Sequence, residues 1–205
     1  MLIAVIGGAR GNISALDAAL SRIAELGIHT VLSTGNLAAG GDDGNTVIER
    51  LRERGVTCVQ GETDRLVVRA LRKADSLRKR LDGEVFEAVM RAHESLTNAN
   101  IEFLRALPQR RDLTFEGKAL CLCHGSVSSQ SSTLTVDDAV DRFRRQREAA
   151  NAQVIVCGSD NDAFVKIVDD TLFANPGALK SSDGAVSFVV VNTDEEPCGA
   201  LIERI

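Results

Sequence analysis

The sequence predicts an α/β protein in which two mixed β-sheets pack together and are flanked by helices. Three observations lead to this prediction. Short apolar segments alternate with helical patterns as far as Gly61, which favours parallel strands joined by right-handed crossovers. Residues 65–107 then have a helical, charge-rich pattern that ends at Pro108. Beyond Pro108, short apolar segments follow one another between tight turn signals, which is typical of strands.

The first third of the chain contains strands and helices in alternation. Residues 2–6 are continuously apolar, which indicates a strand buried on both faces. Asn12 is placed to cap the helix that follows, and Gly27 to end it. Two further strands are predicted at 30–34 and 56–59, with a second helix between them.

The remainder of the chain is predicted to be rich in strands. One helix, at about 136–149, interrupts them. With no linker, repeat or low-complexity segment, residues 1–205 are interpreted as a single domain that carries a helical, charge-rich insertion at about 65–107. The predicted strands are 112–115, 119–123, 154–157, 164–168, 172–174, 186–191 and 199–203.

Composition narrows the classes of function. The formal net charge of −5 does not favour a nucleic-acid-binding protein. Five cysteines without a disulfide spacing indicate reduced thiols and a cytoplasmic location. The apolar N-terminus lacks the basic region of a signal peptide, and no apolar run reaches the length of a membrane span.

Glycine-containing polar motifs follow the predicted strands, at the sheet edge where α/β proteins place ligand sites. Their order and spacing resemble those of the bacterial and archaeal calcineurin-like phosphoesterases over essentially the whole chain. The resemblance implies that family's four-layer αββα sandwich. The motifs are Gly8-Ala9-Arg10-Gly11-Asn12, Gly35-Asn36, Gly61-Glu62-Thr63-Asp64, His124-Gly125, Gly158-Ser159-Asp160-Asn161 and Asn175-Pro176-Gly177-Ala178.

The resemblance implies a two-metal hydrolysis, in which two divalent ions hold the phosphate and activate a water. Most of the ligands that the resemblance implies are replaced here. The first motif of the family, Asp-x-His-Gly-Asn, has Gly8 in place of the carboxylate and Arg10 in place of the imidazole. The bridging carboxylate of the second motif is Asn36. A permanent cation such as Arg10 opposes metal binding by charge repulsion.

The later motifs show the same loss. In the third, Glu62 replaces an amide and Thr63 replaces the histidine proposed as general acid. The last two histidines of the family pattern are replaced by Ser159 and Asn161 in this chain. His124 is the ligand position at which this chain has the same residue as the family. The sequence therefore predicts no catalytic residues and no metal ligands.

We expect a degenerate phosphoesterase that acts as a non-catalytic binding or scaffold protein, with no cofactor. Its former cleft is expected to bind a small anion, either phosphate or a nucleotide. Arg10 could hold that anion, could form an ion pair with Glu62, or could simply be tolerated in an abandoned site. The predicted cleft residues are Gly8, Arg10, Asn12, Asn36, Glu62, Thr63, His124, Ser159 and Asn161.

Two alternatives stay open. One is an active metal-dependent phosphoesterase whose rewired site holds a single Mn, Fe or Zn ion on Glu62 and His124. The other is an interaction module that binds a polyanion or a protein through basic helices. Positive residues cluster within 65–80 and again within 142–147, although solvated helix faces are the simpler interpretation. A protein partner is expected at helices 65–107, and the sequence does not set the oligomeric state.

Two other motifs are similar to a cofactor site and to a zinc site. Gly7-Gly8-x-x-Gly11 follows a strand, but its spacing differs from the dinucleotide-binding fingerprint, so a tight turn is favoured. Cys121 and Cys123 precede His124, but adjacent strand residues point to opposite faces, so buried free cysteines are favoured over a zinc site.

Overall fold

The computed structural model describes residues 1–158, 162–179 and 186–205. Helices and strands in these residues follow the predicted order closely. The helices are α1 (Ile13–Glu25), α2 (Gly44–Glu53), α3 (Glu62–Arg80), α4 (Gly83–Ser95), α5 (Asn98–Ala106) and α6 (Val140–Ala150). The strands are β1 (Leu2–Ile6), β2 (Thr30–Ser33), β3 (Thr57–Cys58), β4 (Arg110–Phe115), β5 (Lys118–Cys123), β6 (Val154–Val156), β7 (Phe164–Val168), β8 (Thr171–Asn175), β9 (Ser187–Asn192) and β10 (Gly199–Arg204).

The strands form two mixed sheets of five strands each. The first has the order β10-β9-β1-β2-β3, with β1, β2 and β3 parallel and β9 antiparallel to both of its neighbours. The second has the order β4-β5-β6-β8-β7, with β5, β6 and β8 parallel and an antiparallel strand at each edge. The predicted fold class is therefore confirmed.

Three clusters of buried apolar side chains separate the four layers. Between the sheets, Ile3 and Val5 share a cluster with Leu122. The outer face of the first sheet is covered by α1 to α5. On the outer face of the second sheet, Phe143 of α6 contacts Phe173 edge to face, with ring centroids 5.0 Å apart. Because β1 is fully buried along residues 3–6, its continuous apolarity follows from having sheet on one side and helices on the other.

The start of α6 differs from its prediction at about 136. Thr135 N–H donates to the side chain of Asp138 at 2.7 Å, and Arg142 Nη1 donates to the same carboxylate at 2.6 Å. The Asp138 carboxylate thus stabilises a turn that competes with the helix, which begins at Val140.

All five cysteines are buried, free thiols, as predicted. Cys121, Cys123 and Cys157 belong to the cluster beneath α6. Every helix of the described chain is too short or too polar to cross a membrane.

Candidate functional site

The loops that follow β1, β2 and β3 are joined by hydrogen bonds at one edge of the first sheet. Arg10 N–H donates to the Asn36 carbonyl at 2.9 Å, and Asn36 N–H donates to Asp64 at 2.8 Å. The second sheet reaches the same edge, because His124 Nδ1 lies 2.7 Å from the Thr34 carbonyl. Four of the five predicted cleft loops therefore meet.

The fifth loop begins beside them. Gly158 N–H donates to the His124 carbonyl at 2.7 Å, and a Cβ at Gly158 would lie 2.0 Å from Thr34 Oγ1. This close approach to Thr34 explains the glycine. The predicted cleft residues Ser159 and Asn161 lie outside the described residues.

Asp64 is the centre of this arrangement. Its side chain is fully buried, and its two carboxylate oxygens accept the amides of Asn36 at 2.8 Å, Leu37 at 2.8 Å and Gly61 at 2.9 Å. Burial raises the pKa of Asp64, and these hydrogen bonds oppose the rise. Asp64 is the last residue of the third motif but was not among the predicted cleft residues. Its position three residues after Gly61, in the first turn of α3, was the signal that it would bind backbone amides.

Asn36 is held by Thr63. Asn36 Oδ1 accepts the Thr63 amide at 2.9 Å and the Thr63 hydroxyl at 2.8 Å. Asn36 is buried and has a φ of 57°, a left-handed conformation that asparagine tolerates. A Cβ at Gly61 would lie 2.2 Å from the Asn36 nitrogen, so glycine is required there. The only oxygen of the Asn36 side chain thus already accepts two hydrogen bonds.

Gly8 and Arg10 border a cavity of about 450 Å³ at the start of α1. A Cβ at Gly8 would lie 3.1 Å from the Asn36 Cβ, which leaves little room for a larger side chain. Arg10 remains accessible to solvent, and partial burial lowers its pKa from the ordinary value. The positive charge of Arg10 also lowers the pKa of His124, so its field acts on the cleft imidazole.

His124 is a neutral imidazole. It is 2% exposed, and burial lowers its pKa to about 4, with the Thr34 hydrogen bond opposing and the Arg10 charge assisting. Because a carbonyl oxygen can only accept, Nδ1 carries the proton and Nε2 is left with a lone pair. In this neutral form, Nε2 can accept a hydrogen bond but cannot donate one.

Three amides at and before the start of α1 already have partners within the protein. Asn12 Oδ1 accepts the Ala15 amide at 3.0 Å, which confirms its role as the helix cap. The amides of Gly11 and Asn12 donate to the carbonyls of Leu37 and Ala9, both at 2.8 Å. The amides of Gly11 and Asn12 are therefore used within the protein.

Glu62 pairs within its own helix. Its Oε1 lies 3.9 Å from Nη2 of Arg65, one turn further along α3. Within the part of the chain that the structure describes, Glu62 is thus paired with Arg65 and not with Arg10, which was one of three alternatives for Arg10. Both side chains are partly exposed, so the Glu62–Arg65 pair stabilises the fold by less than about 1 kcal/mol.

The described side chains do not fit a dinuclear metal centre. The oxygens of Asn36 and Asp64 accept hydrogen bonds from Thr63 and the backbone, and Glu62 is paired with Arg65. His124 Nε2 is a suitable donor, but no group of three His, Cys, Asp or Glu residues within 1–158, 162–179 and 186–205 is placed to share an ion.

Comparisons with known proteins agree with this geometry. A sequence model described as a calcineurin-like phosphoesterase superfamily domain matches residues 1–196. A hypothetical protein from Pyrococcus horikoshii OT3 has a similar structure, with a TM-score of 0.88 and 18% identity over 100% of this chain and 86% of that one. A metallophosphoesterase from Sphaerobacter thermophilus gives a TM-score of 0.74 and 19% identity over 100% and 88% of the two chains.

A more distant fold relative is Vps29 from Entamoeba histolytica, solved with zinc. It is 17% identical, with a TM-score of 0.57 over 100% of this chain and 98% of that one. A search of curated proteins found no match. At these identities the solved structures establish the fold. The sequence match over residues 1–196 goes further and shows that this chain belongs to the calcineurin-like phosphoesterase superfamily.

Proposed function

We propose that this protein is a non-catalytic member of its superfamily that serves as a binding or scaffold protein. The observation that carries the proposal is the pair of hydrogen bonds from Thr63 to Asn36 Oδ1, at 2.9 and 2.8 Å. Asn36 occupies the position of the bridging carboxylate in the family's second motif. A neutral oxygen that already accepts two hydrogen bonds has little capacity left to bridge two metal ions.

Charge supports the same conclusion. Two-metal hydrolysis needs anionic ligands that offset four positive charges from the ions. Here Arg10 adds a positive charge that is felt at His124. A guanidinium about 5 Å from a dication is repelled by several kcal/mol at an effective dielectric constant of about 20. Thr63, at the position of the family's histidine, has no group that donates a proton to a leaving group at neutral pH.

The cleft retains a role in weak anion binding. Arg10 borders the 450 Å³ cavity, which Asp42 and Asp43 also line, and a phosphate or nucleotide would compete there with the existing interactions of Arg10. The amides of Gly11 and Asn12 are used internally, and His124 Nε2 accepts rather than donates. One charge-assisted contact of this kind supports an affinity in the millimolar range after association costs.

Metal content tests the proposal directly. The protein would be purified without chelator, and its Mn, Fe and Zn content measured together with phosphodiesterase activity in added Mn²⁺. A matched variant, Gly8→Asp with Arg10→His and Asn36→Asp, restores ligands of the family pattern. We expect far less than one ion per wild-type chain and no turnover, and a higher metal content in the variant.

Because a protein of the same fold, Vps29 from Entamoeba histolytica, was solved with zinc, metal content is the property that separates this proposal from its alternatives. Two ions per wild-type chain, with hydrolysis that a chelator abolishes, would refute the proposal. One ion per chain with hydrolysis lost in His124→Ala would establish the alternative of a rewired single-metal site on Glu62 and His124. Thermal melting of each variant controls for loss of folding.

A further inference from the structure

A second cavity, of about 740 Å³, lies between α3 and α5. It shares no lining residue with the cavity beside Arg10. Its volume is in the range of small-molecule sites, roughly 300–1,000 Å³. Its walls combine cationic and apolar side chains, so it differs chemically from the cleft.

Four arginines line this cavity. Arg65, Arg69 and Arg72 come from α3, and Arg105 comes from α5. Spacings of four and three residues place the α3 arginines on one helix face, over a length of about 10 Å. They therefore form a row of guanidinium groups and not a single charge.

Two of these arginines have an ion-pair partner among the described residues, and two do not. Arg65 is paired with Glu62, and Arg105 with Glu102. Arg69 and Arg72 form no ion pair with any residue in 1–158, 162–179 or 186–205. Their like-charge neighbours on α3 disfavour the helix, so an anion between them would relieve repulsion as well as form hydrogen bonds.

The other basic cluster, on α6, is neutralised in part. Arg142 is paired with Asp138 at 2.6 Å, and Arg144 with Asp169 at 2.8 Å and Asp141 at 3.1 Å. The prediction of a solvated, neutralised face suits α6.

The rest of the cavity wall is partly apolar and well anchored. Leu71 is 66% exposed at this wall, next to Val68 and Leu107. Gln60 is buried, and its side-chain Nε2 donates to the Leu104 carbonyl at 2.7 Å. The backbone carbonyl of Gln60 accepts a hydrogen bond from Gln130 Nε2 at 2.6 Å. The cavity floor is therefore fixed in place before any ligand arrives.

His93 is anchored in the same way. Its Nδ1–H donates to the Val67 carbonyl at 2.8 Å, and the imidazole lines the cavity. This contact gives His93 a partner that its position in the sequence did not reveal.

We propose that this cavity binds a small organic molecule that carries a chain of two or three phosphates, of the nucleoside di- or triphosphate class. The phosphates would lie along Arg65, Arg69 and Arg72, and the organic group against Leu71 and Val68. Guanidinium groups donate in pairs to phosphate oxygens, and an exposed leucine gains from apolar contact. A long nucleic acid fits less well, because the chain as a whole has a net charge of −5.

Calorimetric titration tests the site with ATP, ADP, adenosine and inorganic triphosphate. The test variant is Arg69→Gln with Arg72→Gln, which removes two like charges and should leave α3 folded. The control is Arg54→Gln with Lys79→Gln, which removes the same charge from two exposed residues outside the cavity. We expect ATP to bind wild type and control equally, at least tenfold more weakly to the test variant, and more tightly than triphosphate or adenosine.

Three results would overturn the proposal. The first is no heat with millimolar ATP. The second is equal weakening in the control and the test variant, which would show general charge attraction. The third is equal affinity for ATP and inorganic triphosphate, which would remove the role given to Leu71 and Val68. These readouts are independent of metal content, so they stand apart from the test of the cleft.

Discussion

Replacing His124 by asparagine should make the stability of the protein less sensitive to acid. The asparagine amide can still donate to the Thr34 carbonyl, as Nδ1 does over 2.7 Å. It cannot take up a proton. The variant therefore removes the titration of His124 while keeping its hydrogen bond to β2.

The size of the effect follows from the pKa of His124. In the folded chain the pKa is lowered from 6.5 to about 4, mainly by burial, so the unfolded state binds more protons between those two values. Stability consequently falls as the pH falls through this window. The loss amounts to about 2 kcal/mol at pH 5 and about 3 kcal/mol near pH 4, since each pKa unit is worth about 1.4 kcal/mol.

Urea unfolding at pH 7.5, 6 and 5, in a chelator, measures this loss. Asp64 and the surface carboxylates titrate in both proteins, so comparing wild type with His124→Asn isolates the histidine. We expect the variant to lose about 2 kcal/mol less than wild type between pH 7.5 and 5. Parallel pH profiles would show that His124 does not titrate with a lowered pKa, and would refute the neutral imidazole.

Two further predictions concern the neighbours of His124. Asp64→Asn replaces one of the two amide-accepting oxygens by a donor, so we expect the free energy of unfolding in urea at pH 7 to fall by about 2–4 kcal/mol. A decrease below about 0.5 kcal/mol would contradict the role given to the hydrogen bonds of Asp64. Arg10→Ala removes a positive charge that lowers the pKa of His124, so the NMR titration of His124 should move to higher pH, by less than one unit because burial is the larger cause. An unchanged or lower value would mean that Arg10 does not face the imidazole.

Most of the fold could be predicted because the apolar pattern of the strands is simple. β1, β6 and β8 are buried on both faces and read as unbroken apolar runs, whereas glycine signals end α1 and α2. The start of α6 was missed because a side chain decides it: Asp138 binds the Thr135 amide and holds a turn where the periodicity continues.

Contacts within the cleft were harder to predict, because they join residues far apart in the chain. The family motifs brought Asn36, Thr63 and His124 together, but not the direction of each hydrogen bond. His124 bonds to Thr34 across 90 residues, and this contact alone fixes its tautomer. Glu62, by contrast, pairs with Arg65, because Arg65 lies one helical turn away on α3 whereas Arg10 lies on another loop.

Under the proposed function, hydrogen bonds would hold the cleft loops in place of metal ions. In a two-metal site, ligands from several loops converge on the ions, which cross-link the loops. Here hydrogen bonds make the same connections. Asp64 ties the β2 loop to the start of α3, Asn36 ties it to Thr63, and His124 ties the second sheet to Thr34. These loops are therefore connected without any contribution from the side chains at positions 8 and 10.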